Sequence, residues 1–196
     1  MNLGQSMLAA MALVVITFLI VSANRIIIQS RQDELKGEAY NQAGEIASEL
    51  INEAMKKKYD DPTVVHWFYY YGWRSYKLYD FYEPNAATNF TAIGSLGPSI
   101  RPSGFNEITA VPLPDRSPYK SIANYDDFDD YNGYTRIVDT PIMTGFVVNC
   151  TVSYLASATL VPATNPTYTK KLEVKVSQPI YLPDGLTFST TMTYGQ

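Results

Sequence analysis

From Met7 to Ala23 the chain carries no charge, and only Thr17 and Ser22 offer polar side-chain groups. A run of roughly 17–25 such residues is long enough to cross a hydrocarbon layer as a helix. The join between this run and the next segment is still more constraining. No Pro or Gly punctuates the passage into the amphipathic pattern of Gln29–Lys58. Helical periodicity therefore predicts one long helix, apolar in its N-terminal half and amphipathic afterwards.

In the second half, Ile28, Leu35, Ala39, Ala43, Ile46, Leu50 and Ala54 recur at helical spacing and trace one narrow apolar stripe. Arg31, Glu34, Glu38, Glu45, Glu49 and Glu53 fall on the opposite, solvated face. Lys56, Lys57 and Lys58 are placed in the last turn, where cations complement the helix dipole. Pro62 marks the end, because the residue before a proline is pushed out of the α region. Gly37 and Gly44 read as tolerated interruptions, each costing about 1 kcal/mol relative to Ala. Such a helix overshoots a domain built from the remaining residues, so its apolar end needs lipid or other subunits to cover it.

Three readings of the apolar run compete: a cleaved signal peptide, a single-pass anchor and a filament-forming helix. The absence of Lys or Arg before Arg25 disfavours the first, since signal peptides open with a basic region. The chain divides accordingly into 1–28 (membrane or filament-core half of the helix), 29–61 (amphipathic half) and 62–196 (globular domain).

The net charge is −4. Residues 1–61 and the remainder each carry a small acidic excess, so neither has the basic surface that nucleic-acid binding needs. The 16 tyrosines suit half-wet surfaces and subunit contacts. Cys150 is the only cysteine, so no intrachain disulfide forms. It shares a strand parity with Phe146, Val148, Val152 and Tyr154, which makes it a buried structural thiol.

After residue 83 the periodicity switches from helical to alternating. Leu172, Val174 and Val176 alternate with Lys171, Glu173 and Lys175, and Leu186 to Tyr194 alternate with Thr187 to Thr193. Leu182-Pro183-Asp184-Gly185 reads as the intervening turn. With 145–155 these strands give an antiparallel sheet of three or four strands, whose apolar face accepts the helix stripe. The fold class is α+β: a long protruding N-terminal α-helix packed on a C-terminal antiparallel β-sheet domain. The aromatic stretch His66–Tyr82 is compatible with helix, strand or loop, and residues 83–120 read as irregular.

No catalytic constellation emerges, and an enzyme is not expected. His66 is the only histidine, and neither a nucleophile elbow nor a phosphate loop is present. Asp126, Asp127, Asp129 and Asp130, with Asn132, are candidate calcium ligands, since that ion takes six to eight oxygens. The alternative is a solvated acidic loop that orders a contact between subunits. Asn89 and Asn149 head glycosylation sequons.

Three local features carry a family resemblance. Gly4-Gln5-Ser6 precedes the apolar run, Asp126–Tyr134 reads DDFDDYNGY, and the chain closes TKKLEVKVSQPIYLPDGLTFSTTMTYG. Together with the long helix, these features resemble the type IV pilin and pseudopilin superfamily, in particular minor pilin-like proteins. The resemblance implies processing between Gly4 and Gln5 and polymerisation with copies of the same or related subunits. It also implies an inner-membrane stage followed by an extracellular or periplasmic filament of the cell envelope. The fifth residue after Gly4 is Ala9, where major pilins typically have Glu. The alternative function is a single-pass anchored envelope domain that binds a small ligand or calcium.

Overall fold

The structure is a computed structural model; it describes residues 3–60, 66–70, 74–78, 90–98, 111–156 and 159–194. Helix α1 runs unbroken over Leu3–Ala54. At about 1.5 Å per residue it is roughly 78 Å long. Strands β1 (His66–Tyr70) and β2 (Arg74–Leu78) pair antiparallel, from His66 opposite Leu78 to Tyr70 opposite Arg74. The aromatic stretch thus forms paired strands over those residues, while 71–73 and 79–82 lie outside the described ones.

The main sheet has five strands in the order β3 (Asp115–Arg116), β4 (Thr135–Val138), β5 (Phe146–Tyr154), β6 (Thr169–Gln178) and β7 (Leu182–Thr193). All neighbours are antiparallel except β3 and β4. The fold class is α+β as the patterning implies, with five strands in the sheet where three or four are expected. Strand β3 escapes the pattern because two residues are too short to show alternation. One turn of helix, α2 (Ser121–Asn124), and a 3₁₀ turn at Asp129–Tyr131 separate β3 from β4.

The helix stripe docks on the sheet only from Ala39 onward. Ala39, Ala43, Ile46, Ala47, Leu50 and Ala54 are buried together with Phe146, Val148, Cys150, Val152, Leu172, Val174 and Val176. Ile28 lies beyond the domain, and Leu35 reaches only its margin beside Ile142; both stay exposed. Around Gly44 an added Cβ would sit 4.0 Å from the Phe188 ring, and nothing lies within 4 Å of Gly37, so neither glycine is required by close approach.

Three local expectations are corrected. The helix stops at Ala54, before the lysines. Tertiary bonds pull the chain away: the Lys57 ammonium donates to the carbonyls of Ile122 and Tyr125 at 2.7 Å each. The Lys58 backbone also bonds to Asp126 O and Phe128 N. Second, Glu53 is not on a solvated face but packs inward against Arg136. Third, Leu182–Gly185 belongs to β7. The turn is instead Pro179–Tyr181, closed by Gln178 Oε1, which accepts from the N–H groups of Ile180 and Tyr181. The register shift beside it requires Gly185, whose φ is +73° and whose Cβ position lies 3.0 Å from Val176 O.

Candidate functional site

Two features bear on function: the bare half of α1 and the loop Asp126–Asn132. The bare half is apolar on every side, with Leu13, Phe18 and Ile28 exposed at 68%, 70% and 59%. An 18-residue window reaches a mean hydropathy of 2.3, none of it buried. Among the described residues, one helix is therefore long and apolar enough to span a membrane. Leaving a Leu, Ile or Phe side chain in water rather than burying it forgoes roughly 1.5–3 kcal/mol. Over this many side chains, water is not a tolerable surrounding for the helix. Gly4 is exposed near the start of the same helix, and Gln5 comes next within its first turns.

The acidic loop does not form a five-ligand shell. Asp126 faces Lys58 at 3.6 Å. Asp130 Oδ2 accepts from the backbone N–H of Asp126 and Asp127, and Asp127 Oδ1 accepts from those of Asp129 and Asp130. The loop thus folds back to cap its own 3₁₀ turn. Asn132 bridges Leu96 O and the N–H of Val152, joining the loop to β5. Asp127, Asp129 and Asp130 are buried, so the solvated-loop reading is corrected. Desolvation that a backbone N–H or an ammonium compensates is what allows carboxylates to go inside.

The ammonium comes from Lys170 on β6. Its Nζ lies 2.9 Å from Asp60 Oδ2, 2.5 Å from Asp129 Oδ1 and 2.9 Å from Tyr59 O. Its charge also sits 4.7 Å and 5.2 Å from the ring centres of Tyr59 and Tyr154. Asp60 further accepts from the N–H and hydroxyl of Thr91 and from the Tyr154 hydroxyl. Burial pushes the Asp129 carboxyl above the ordinary carboxylate range, and neighbouring Asp60 adds to the rise; Lys170 pulls the other way. Burial likewise pushes up the Tyr59 and Tyr154 hydroxyls.

Carboxylate oxygens of Asp60, Asp127 and Asp129 lie within 4.8 Å of one another, close enough to share a cation. The chemistry of this set fits the lysine: two of its three carboxylates bond directly to the Lys170 ammonium. Calcium needs six to eight oxygens. Of the five ligands expected from sequence, only Asp127 and Asp129 join this group, and Asp60 completes it.

A second buried ion pair ties α1 to β4. Arg136, on β4 and wholly buried, donates from Nη2 to Glu53 Oε2 at 2.5 Å and to Ser121 Oγ at 3.1 Å. Glu53 Oε1 accepts from the hydroxyls of Tyr131 and Ser121. The guanidinium stacks 3.7 Å from the Tyr119 ring centre. Tyr134 donates to Asp115 Oδ2 and accepts from Arg136 Nε. Arg136 Nη1 has no hydrogen-bond partner among the described residues.

Sequence reasoning missed Lys170, Asp60, Glu53 and Arg136. A signal existed for Lys170, which has the same strand parity as Leu172, Val174 and Val176. Glu53 lies three residues after Leu50, on the margin of the apolar stripe. Cys150 is buried on its predicted face, and burial pushes its thiol up to about 12. Asn149 is exposed and its Oδ1 accepts from Thr135 Oγ1. Asn89 lies outside the described residues. The chain matches no family model, no curated protein and no solved structure.

Proposed function

We propose that this chain is a structural subunit of a type IV pilus-like surface filament or a secretion pseudopilus. The apolar half of α1 holds the subunit in the membrane before assembly and packs against other copies afterwards. One observation carries the reading: a single unbroken helix is bare and apolar over its first half and packed into a domain over its second. A detachable leader or a flexible tether needs no such coupling; a helix that must place a domain at a fixed height above a core does. The Glu53–Arg136 pair supports the same reading, because it clamps the helix end to the sheet from inside. The chain's role is mechanical, and its partners are other subunits and the inner membrane.

The test removes residues 1–28 and examines sheared surface material by electron microscopy, with mass spectrometry of the mature N-terminus. The reading expects filaments from the full chain, none from the truncated one, and a terminus at Gln5. A monomeric anchored protein with no filaments in either case sinks it and leaves the anchored binding domain.

A further inference from the structure

Lys170 and Asp129 hold the two halves of an amide in contact. An amine and a carboxyl group condense when they are pinned together, when a neighbour moves the protons and when water is kept out. Lys170 Nζ lies 2.5 Å from Asp129 Oδ1 and 2.9 Å from Asp60 Oδ2. Lys170 and Asp60 are fully buried, and Asp129 is 2% exposed. The buried rings of Tyr59 and Tyr154 stand beside the ammonium, and Phe90 packs with them. Both reactants are also held by the backbone: Tyr59 O accepts from Nζ at 2.9 Å, and the Asp129 N–H donates to Asp127 Oδ1 at 3.1 Å.

Other ion pairs among the described residues lack one of these properties. Lys171 and Glu173 lie 2.7 Å apart, but their side chains are 31% and 41% exposed and water competes for both. Arg136 and Glu53 are nearly as deeply buried, but a guanidinium is not deprotonated in a protein and offers no lone pair.

We propose that Lys170 Nζ and Asp129 Cγ join as an intramolecular amide, with Asp60 carrying the protons. The Lys170 ammonium passes a proton through Asp60 to an Asp129 oxygen, which leaves a neutral amine beside a neutral acid. Burial favours the exchange because it removes two charges from a dry site. Burial also holds the Asp129 carboxyl above its ordinary range. The amine lone pair forms the Nζ–Cγ bond while the carbonyl electron pair moves onto its oxygen. A second proton passes from the nitrogen through Asp60 to the Asp129 hydroxyl, which leaves as water as the carbonyl re-forms. Ammonium and carboxylate thus become an amide and one water, and Asp60 ends as the carboxylate it began as. No oxidant or further reactant takes part.

The ion-paired chain is the reactant and the linked chain its slow product, so freshly folded chain carries the ion pair. The bond joins positions 41 apart and fastens the acidic loop to β6. That loop also holds the chain as it leaves α1, through the Phe128 N–H bonded to Lys58 O. The linkage does not depend on whether the chain polymerises.

Intact-mass spectrometry tests it on the purified full chain in detergent, fresh and through days of incubation under conditions where buried Cys150 stays shielded from a thiol reagent. The expected result is a species lighter by one water that accumulates with time. Peptide mapping should place the link in a branched peptide containing Asp129 and Lys170. K170R and D129A should stay at full mass. D60N should link at least about 100-fold more slowly, the lower end of what a placed acid–base group contributes; D60S replaces it if D60N fails to shield Cys150. Folded wild-type chain that keeps its full mass overturns the proposal, whatever the variants do. So does a water-loss species with no branched peptide, as cyclisation at Asp184-Gly185 would give. Linking of the folded Asp60 variant at the wild-type rate overturns the proton-carrying role.

Discussion

Replacing Lys170 with Met should destabilise the domain far more than its loss of volume warrants. Lys170 and Asp60 are fully buried and Asp129 is 2% exposed, with the ammonium 2.9 Å and 2.5 Å from the two carboxylates. Met fills a similar space, so the main change is electrostatic: two buried carboxylates lose the cation between them. Breaking a buried pair by removing one partner costs about 3–5 kcal/mol. At ~1.4 kcal/mol per tenfold, the folded-to-unfolded ratio falls by about two to three and a half orders of magnitude. The triple variant K170M/D60N/D129N removes the uncompensated charge and should regain most of the loss, because apolar or neutral replacements of a whole buried pair are often near neutral. Pulse proteolysis of the full chain in detergent across a urea series measures all three proteins. The pH dependence has a definite sign. Burial already holds the Asp129 carboxyl above its ordinary value of 3.8, and losing Lys170 removes the charge that pulls it down. A raised folded value gives stability that is present below the unfolded pKa and lost as pH climbs through the folded one. The deficit of K170M should therefore be small near pH 3 and full at pH 7. A deficit under about 1 kcal/mol at pH 7, in the range of exposed pairs, would refute the reasoning.

Glu53→Ala leaves the Arg136 guanidinium buried beside an Nη1 that already lacks a described partner, and should cost about 3–5 kcal/mol; the same proteolysis assay, with cleavage mapped around residues 54–60, reads it. Leu50→Ala in the helix–sheet core should cost about 2–5 kcal/mol, measured as a lower urea midpoint. Cys150, with its thiol raised to about 12 and its side chain buried, should resist a disulfide reagent at pH 8 until the chain is unfolded; fast labelling of the native protein would contradict its placement. Gly185→Ala puts a Cβ 2.9 Å from Lys175 Cε and 3.0 Å from Val176 O at a φ of +73°, and should destabilise by at least about 1 kcal/mol in thermal melts.

The architecture was legible because two periodicities are strong. The unbroken apolar-to-amphipathic run specified α1, and the alternation in 146–154 and 169–178 specified β5 and β6 with the correct inward faces. The helix end was not, since the bonds that halt it at Ala54 come from Ile122, Tyr125, Asp126 and Phe128, far along the chain. Local propensity cannot see such partners. The acidic loop misled for a related reason. Four aspartates in five residues look solvated or metal-bound from sequence, whereas their neutralising cation arrives from Lys170, 41 positions beyond Asp129. Its inward strand parity was visible, but a lysine among valines is ordinarily read as outward. Arg136 carries no comparable signal, because β4 is four residues long.

The most direct test of the account is whether the bare halves of α1 from different subunits touch. Single cysteines stepped from Leu8 to Ile28 in the full chain, oxidised in intact cells, report this, and buried Cys150 stays silent. The account predicts disulfide-linked dimers whose yield rises and falls with helical period along the scan. Monomer at every position would contradict it.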